Sequence, residues 1–484
     1  MPINSFLYPG AKVTSAFSVA NSCRFGTDTY MDKDNSASSP THADKYTISF
    51  WCKKCQTSGG GSGAPAEDGY TLFMSSGSGT NGDASDHYCQ IYFKHEDDIR
   101  WQEYDDGTSG QLETNQVFRD PAAWLHLVFR FDSTLGTADD RMRIYVNGTQ
   151  VTSFQVRANI DQNTDSWVNY ASAGHRIGGG GTRHFDGYLA EFVLVDGQSL
   201  APTEFGEFDE DSPTIWKAKD VSGITLGTHG YYLDFESSGT LGNDANGGTD
   251  FTVANLVAAD QALASPTNNF CTMISLFNGQ TMWSSDIAVQ VSGGRTTEGN
   301  CKVSGGEHMP ILGTMATNKM KVYYEVYISA ADVIAGFMST SPAGNSAHSY
   351  DDNFSNSIYV YGAGGSIINN GSWTSTAGLT SAGNYMFAFD PVAGKMWFGK
   401  DGTWTGDPAA GSGNSWSSIS SDEEWTPYFH TLNTTAYPAA NFGGCSAFTV
   451  SSGNSDANGY GNFEYAVPSG FYALCTKNLA ELGG

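Results

Sequence analysis

Charge is scarce in this chain. Charged residues are 15% of 484, and only 24 of them are basic against 51 acidic. The net charge of −27 repels phosphate backbones and anionic bilayers, so no nucleic-acid partner is expected. Long apolar runs are missing too. No window approaches the roughly 20 apolar residues of a spanning helix, so no membrane span is expected. The opening Met1-Pro2-Ile3-Asn4-Ser5-Phe6-Leu7-Tyr8 has neither a basic segment nor a sustained apolar stretch, and no signal peptide is expected. Heptads are lacking, which argues against a coiled-coil stalk, and no fixed-period repeat points to a propeller or β-helix. The eight cysteines (Cys23, Cys52, Cys55, Cys89, Cys271, Cys301, Cys445, Cys475) are scattered, which argues against a dense disulfide framework. Cys52-x-x-Cys55 is a lone pair without the further ligands a zinc site needs.

What is present is turn chemistry and aromatic bulk. There are 58 Gly, 28 Phe, 24 Tyr and 11 Trp. The aromatics supply core area despite a hydrophobic content of only 39%. Short alternating runs separated by Gly, Asn and Asp specify antiparallel sheets with tight turns. The chain is therefore read as all-β, two tandem antiparallel β-sandwiches with few short helices.

Residues 1–20 are a lead-in and possible anchor. A first sandwich is expected over 21–262 and a second over 266–484, with Ser265-Pro266-Thr267 at the seam. In the first, Tyr46–Trp51 alternates with Tyr46, Ile48 and Phe50 on one face. Trp124–Phe131 would bury Leu125, Leu127, Phe129 and Phe131. Arg143–Val151 reads as a hairpin, because Asn147-Gly148 accepts the positive φ of a type I′ turn. Tyr188–Val195 is apolar on both faces except at Glu191, as a central strand would be. Val253–Ala264 is read as a short helix. The second half repeats the grammar at Lys321–Ile328, Ser357–Tyr361, Tyr385–Phe389 and Lys395–Gly399.

Trp124-x-His126, then Tyr145-Val146-Asn147-Gly148, then Asp186-Gly187 ahead of an apolar strand, form an order that resembles the laminin-G/concanavalin A-like jelly roll over residues 20–260. Tyr323–Val326, Gly336-Phe337, the Phe387–Gly402 hairpin, Trp425–Phe429 and Asn441-Phe442-Gly443 resemble a SPRY-type sandwich. The stretch Asp196–Gly206 and the later Ser265–Phe270 resemble structural proteins of tailed bacteriophages, especially marine ones. That resemblance implies a fibre, tail or capsid-surface protein on the virion.

Candidate chemistry is thin. The jelly roll hosts glucanases, which need two carboxyls about 5 Å apart. The nearest run, Glu207-Phe208-Asp209-Glu210-Asp211, lacks the final Glu, meets Ser212-Pro213 and reads as a solvated acidic loop. Glu191 reads as a structural carboxylate. No Gly-x-Ser-x-Gly stands at a strand-to-helix elbow. No catalytic residue is assigned and no cofactor is required. Ca²⁺ is the one ion considered, because laminin-G-like sandwiches often hold it at the rim. Asp186 and Asp196, with Asp139 and Asp140, are available, but their spacing does not fix roughly 6–8 oxygens.

Aromatic planes near polar loops suit ligand stacking. In the second half these are Tyr361, Trp373, Trp404 and Trp416, within or beside the loops 345–353, 362–373 and 402–416. In the first half, Trp101 and Tyr104, with Tyr70 and Tyr170, would line a sugar face. The expected function is a virion-surface adhesin binding host glycans or proteins, as a homo-oligomer and most plausibly a trimer. The alternatives are a decoration protein bracing its virion neighbours and a glycan-degrading enzyme.

Overall fold

The structure is a computed structural model. It describes residues 17–35, 38–55, 69–76, 87–105, 107–171, 173–179, 184–274, 296–303, 309–340, 357–361, 366–369, 372–375, 381–413, 416–417, 422–431 and 435–483. Two compact units are present, one within Val13–Thr267 and the other within Asn268–Gly484. Both are built almost wholly of antiparallel strands, as the turn-spaced alternation predicts.

In the first unit the strands run β1 (Ser22–Phe25), β2 (Tyr30–Asp34), β3 (Lys45–Lys54), β4 (Tyr70–Ser76), β5 (His87–Phe93), β6 (Asp98–Asp105), β7 (Thr108–Val117), β8 (Leu125–Asp132), β9 (Met142–Val146), β10 (Thr149–Gln150), β11 (Phe154–Ala158), β12 (Gly174–Gly178), β13 (Gly187–Asp196), β14 (Gly206–Phe208), β15 (Trp216–Ala218), β16 (Tyr231–Leu233), β17 (Thr252–Ala254) and β18 (Gln261–Ala262). A back sheet has the order β10-β9-β8-β3-β13-β1-β18, with β16 also on β13. A front sheet has the order β11-β7-β6-β5-β4-β12-β2-β17.

The core lies between these sheets. Tyr46, Ile48, Phe50, Leu127, Phe129 and Phe131 enter from the back, and Phe73, Ile91, Phe93, Trp101 and Leu112 from the front. Phe50 stacks on Phe192 at 4.8 Å. Each such buried ring contributes roughly 1.5–3 kcal/mol. Strand β13 is central, between β3 and β1. Leu189 and Phe192 both face the core, an odd spacing that a regular strand cannot provide. A bulge between Ala190 and Val193 corrects the phase, and Glu191 takes φ 51 there.

The predicted turn forms at Asn147 (φ 47) and Gly148 (φ 75). A Cβ on Gly148 would lie 2.3 Å from the Trp216 ring, so glycine is required twice over. Trp216 belongs to a layer that covers the outside of the back sheet. Trp51 and Ala190 pack under Trp216 and Ala218, while Val128, Tyr145, Val193 and Val195 pack under Phe205, Val221 and Leu226. The outside of the front sheet bears polar and aromatic side chains instead.

The second unit pairs a seven-stranded and a nine-stranded sheet. Its core holds Tyr324, Val326, Phe337, Phe387, Phe389, Phe398 and Phe429. The nine-stranded sheet is centred on Val322–Ile328 and Gly383–Asp390. The segment that carries Phe463 and Phe471 folds over its outer side: Phe463 lies 5.0 Å from Tyr323 and Phe471 5.9 Å from Trp397. The α-helix among the described residues is Thr476–Leu482.

Two local expectations are corrected. Val253–Ala264 is not a helix. It is strand β17, a 3₁₀ turn at Ala258–Asp260 and strand β18. Tertiary contacts override the pattern: β17 pairs with β2, and Asp260 accepts from Val257 N and from the Arg24 guanidinium. The acidic run from Glu207 is not all loop, since Glu207 and Phe208 are in β14, paired with β15.

Candidate functional site

The outer face of the front sheet follows from alternation. Cys89, Ile91 and Phe93 face the core, so Tyr88, Gln90 and Tyr92 face outward. The same holds for Gln102, Tyr104 and Arg100 around Trp101, and for Gln111 and Glu113 around Leu112. The register then aligns three rows across β5, β6 and β7: Tyr88–Tyr104–Ser109, Gln90–Gln102–Gln111 and Tyr92–Arg100–Glu113.

Each row has its own chemistry. Tyr88 and Tyr104 stack with centroids 5.3 Å apart and planes 20° apart. The central row is a ladder of amides, each able to donate and accept. The third row is an ion-pair network. Arg100 Nε donates to Glu113 Oε2 at 2.6 Å and Lys94 Nζ to Oε1 at 2.8 Å. Burial alone would raise the Glu113 carboxyl, but hydrogen bonds from Lys94 and Arg100 outweigh it and hold the group below its ordinary range. On the far side, Arg176 makes a bidentate pair with Asp32 at 2.7 and 2.8 Å.

At the end of β5 and β6 the aromatic row continues over the rim. Asp105 Oδ1 accepts from Trp167 Nε1 at 3.0 Å and lies 2.8 Å from His87 Nδ1. His87 stacks on Trp167 at 4.6 Å, and Trp167 packs on Tyr170 at 4.1 Å. Tyr170 is 42% exposed. Trp167 is positioned from inside the core: Tyr46 Oη and Ser166 Oγ both donate to Glu103, and Ser166 Oγ caps Val168 N.

Of the predicted first-half residues, Tyr104 and Tyr170 are therefore at this surface. Trp101 is not. It has no exposed surface and sits edge-on to Tyr46 and Phe129, so it is a core residue. Trp101→Ala is expected to destabilise the unit by about 3–5 kcal/mol in denaturant titration. A variant of unchanged stability would restore Trp101 to the surface. Tyr70 packs against the core and Lys54. His87, Tyr88, Trp167 and the glutamine ladder were missed, although the alternation of 87–93 with apolar partners carries the signal.

In the second unit the four aromatics lie in strands, not loops. Tyr361 ends Ser357–Tyr361 and Trp373 is in Ser372–Ser375, both in the seven-stranded sheet. Trp404 and Trp416 begin or end short strands on Lys395–Lys400 in the nine-stranded sheet. The half-buried Trp404 ring packs 6.2 Å from Tyr323. The Asp401-Gly402 turn (φ 47 and 84) folds this strand back. The side chains of Tyr361, Trp373 and Trp416, and the loop 345–353, lie outside the described residues.

The acidic candidates have protein partners. Asp196, 1% exposed, accepts from Thr41 N at 2.6 Å, His229 N at 3.1 Å and His42 N at 3.3 Å and so ties three backbone groups together. Asp139 holds Arg157 and Asn159, and Asp140 holds Arg143. Asp186 is buried, and its carbonyl accepts from Cys55 N. Among the described residues, no group of three His, Cys, Asp or Glu side chains converges as a metal site. Glu207 and Asp209 share Lys217. Burial pushes Glu191 up to about 7, and Tyr232 Oη donates to it at 2.6 Å.

One Ser–His contact has the outline of a nucleophile and base. Ser49 Oγ lies 2.9 Å from His126 Nε2. Trp216 Nε1 donates to His126 Nδ1 at 2.9 Å, so Nδ1 is the acceptor and Nε2 carries the hydrogen. Nε2 then donates to Ser49 and cannot take its proton. Burial drives His126 down to about 3, so it stays neutral. The Trp124-x-His126 signature thus ties the back sheet to its covering layer.

Residues 25–204 match the family model described as the Concanavalin A-like lectin/glucanases superfamily. The match lies within the first sandwich. Among solved structures, the chain is similar to a native heptameric SAP-like pentraxin from Limulus polyphemus, at 14% identity over 38% of this chain and 80% of that one, with a TM-score of 0.27. It is also similar to the SPRY domain of human HERC1, at 11% identity over 31% of this chain and 88% of that one, with a TM-score of 0.24. A third likeness is to the TRIM65 PSpry domain, at 12% identity, 30% and 82% coverage and a TM-score of 0.23. The comparison with curated proteins gave no match.

Proposed function

We propose that the chain is a glycan-binding surface protein of a tailed phage and that the aromatic strip of the front sheet is its binding face. The observation that carries this is the alignment of Tyr88 and Tyr104 with a glutamine ladder on one side and the His87–Asp105–Trp167–Tyr170 rim on the other. Sugar rings stack on tyrosine and tryptophan faces, while their hydroxyls exchange hydrogen bonds with amides. Arg100, Lys94 and Arg176 on this face are each matched to a carboxylate, which favours neutral over anionic glycans. The phage assignment is supported by the sequence resemblance of Asp196–Gly206 and Ser265–Phe270.

Binding at one such shallow site is weak, and several copies on a virion raise avidity through effective concentration. The reading is of recognition without turnover and needs no cofactor or metal. Binding of the intact chain to arrayed surface polysaccharides and to host cells tests it. Tyr104→Ala and Trp167→Ala are each expected to weaken binding at least roughly tenfold, about 1.4 kcal/mol, with unchanged melting. No glycan binding, together with tight docking to other particle proteins, would replace this reading with a bracing role. Release of reducing ends, lost in Glu207→Gln, would replace it with a hydrolase.

A further inference from the structure

Lys54 ends β3 of the back sheet, and Asp97 lies in the turn between β5 and β6 of the front sheet. Their side chains meet at the edge of the core: Lys54 Nζ contacts Asp97 Oδ1, with side-chain exposures of 3% and 0%. The Phe93 and Tyr70 rings flank Nζ at 4.9 and 5.5 Å. Asp97 is pinned in its turn. It takes φ 71, its N–H donates to Lys94 O at 3.0 Å, and its carbonyl accepts from Phe118 N at 2.8 Å. Arg119 Nε donates to the other carboxylate oxygen, Oδ2, at 3.0 Å. A second buried carboxyl is adjacent. Asp186 precedes Gly187, which pairs directly with Lys54 in the β3–β13 register. After burial itself, Asp97 and Asp186 are the two charges that raise the Tyr70 phenol.

A lysine–aspartate pair in a dry, ring-lined pocket is poorly sustained as two ions. Moving one proton from Nζ to the carboxyl yields a neutral amine facing a neutral acid. Burial, the largest influence on Lys54, lowers its pKa in that direction. Held in contact, the two groups have the effective molarity of an intramolecular reaction.

We propose that Lys54 and Asp97 condense into an intramolecular isopeptide bond that joins the two sheets of the first unit. The Nζ lone pair attacks Cγ of the protonated Asp97 carboxyl. Charge developing on Oδ2 is met by the Arg119 guanidinium. One proton passes from Nζ to Oδ1, with which Nζ is in contact, the Cγ–Oδ1 bond breaks, and Oδ1 departs as water with both of its hydrogens. The amide keeps one hydrogen on Nζ, and no oxidant, reductant or cofactor is consumed.

Lys33 and Asp244 form a second buried pair, but its geometry differs. Its Nζ stands at 3.4 Å, and Asp244 Oδ1 is taken up by Tyr232 N and Asn246 N, which donate to it at 3.1 Å each.

Intact-mass measurement of the denatured full chain tests the bond. The expected mass is one water below that of the sequence. Proteolysis should release one branched peptide joining the segment with Lys54 to the segment with Asp97. Lys54→Met should restore the full mass. Arg119→Gln, checked as folded by circular dichroism, should accumulate the uncrosslinked form. A full-sequence mass for the wild-type chain overturns the proposal. So does a lost water that maps to Lys33–Asp244 or to an Asp-Gly succinimide such as Asp186-Gly187.

Discussion

Glu325→Ala is expected to destabilise the second sandwich by more than about 3 kcal/mol, among the largest effects of any single substitution there. Glu325 is fully buried on the outer side of the nine-stranded sheet. It accepts four hydrogen bonds: Tyr323 Oη at 2.8 Å, Tyr465 N at 2.7 Å, Glu464 N at 2.9 Å and Asn441 Nδ2 at 3.2 Å. Burial raises its pKa, and the four donors oppose that rise. Two of the donors are backbone groups of the segment that folds over the sheet. Removing the carboxylate strands all four and releases that segment. Chemical denaturation of Glu325→Ala and wild type measures the difference. A change below about 1 kcal/mol would mean that the covering segment is held by Phe463 and Phe471 alone.

Glu103→Gln is expected to change how the first sandwich responds to pH. Glu103 is buried in the core, and burial pushes its carboxyl from 4.5 up to about 7. Glu191 is raised to the same level. A raised carboxyl contributes stability fully below pH 4.5, and the contribution is lost as pH rises to 7. His126 and His175 have the opposite sign. Burial takes both from 6.5 down to about 3, so their contribution is full above pH 6.5 and lost as pH falls. Between pH 4.5 and 6.5 two rising and two falling contributions oppose, and the wild type should be nearly flat. Without Glu103, stability should rise across that window by about 1.4 kcal/mol per pH unit, about 3 kcal/mol in all. Urea titrations at several pH values read this directly, and parallel profiles for variant and wild type would refute it.

The architecture was legible because its signals are local. Alternation at Tyr46–Trp51, 124–131 and 322–328 fixes which face is buried, and Asn147-Gly148 and Asp401-Gly402 fix where chains reverse. Val253–Ala264 misled because its pattern fits a helix, while β2 and Arg24 claim its backbone and Asp260. The proposed binding face was half legible. Tyr104 and Tyr170 are on it, whereas Trp101, an equally good platform by type, is in the core three residues before Tyr104 on the same strand. Parity within a strand decides that, and parity is set by the sheet.

The order of residues by itself determined that this protein is all-β, turn-rich and acidic, with the same strand-and-turn grammar in both halves, since period-2 burial and positive-φ turns need only near neighbours. Only the tertiary structure decided which backbone groups Asp196 caps, which aromatics meet solvent, and that Lys54 meets Asp97 across two sheets. Those outcomes depend on partners far apart in the chain, which no local pattern encodes.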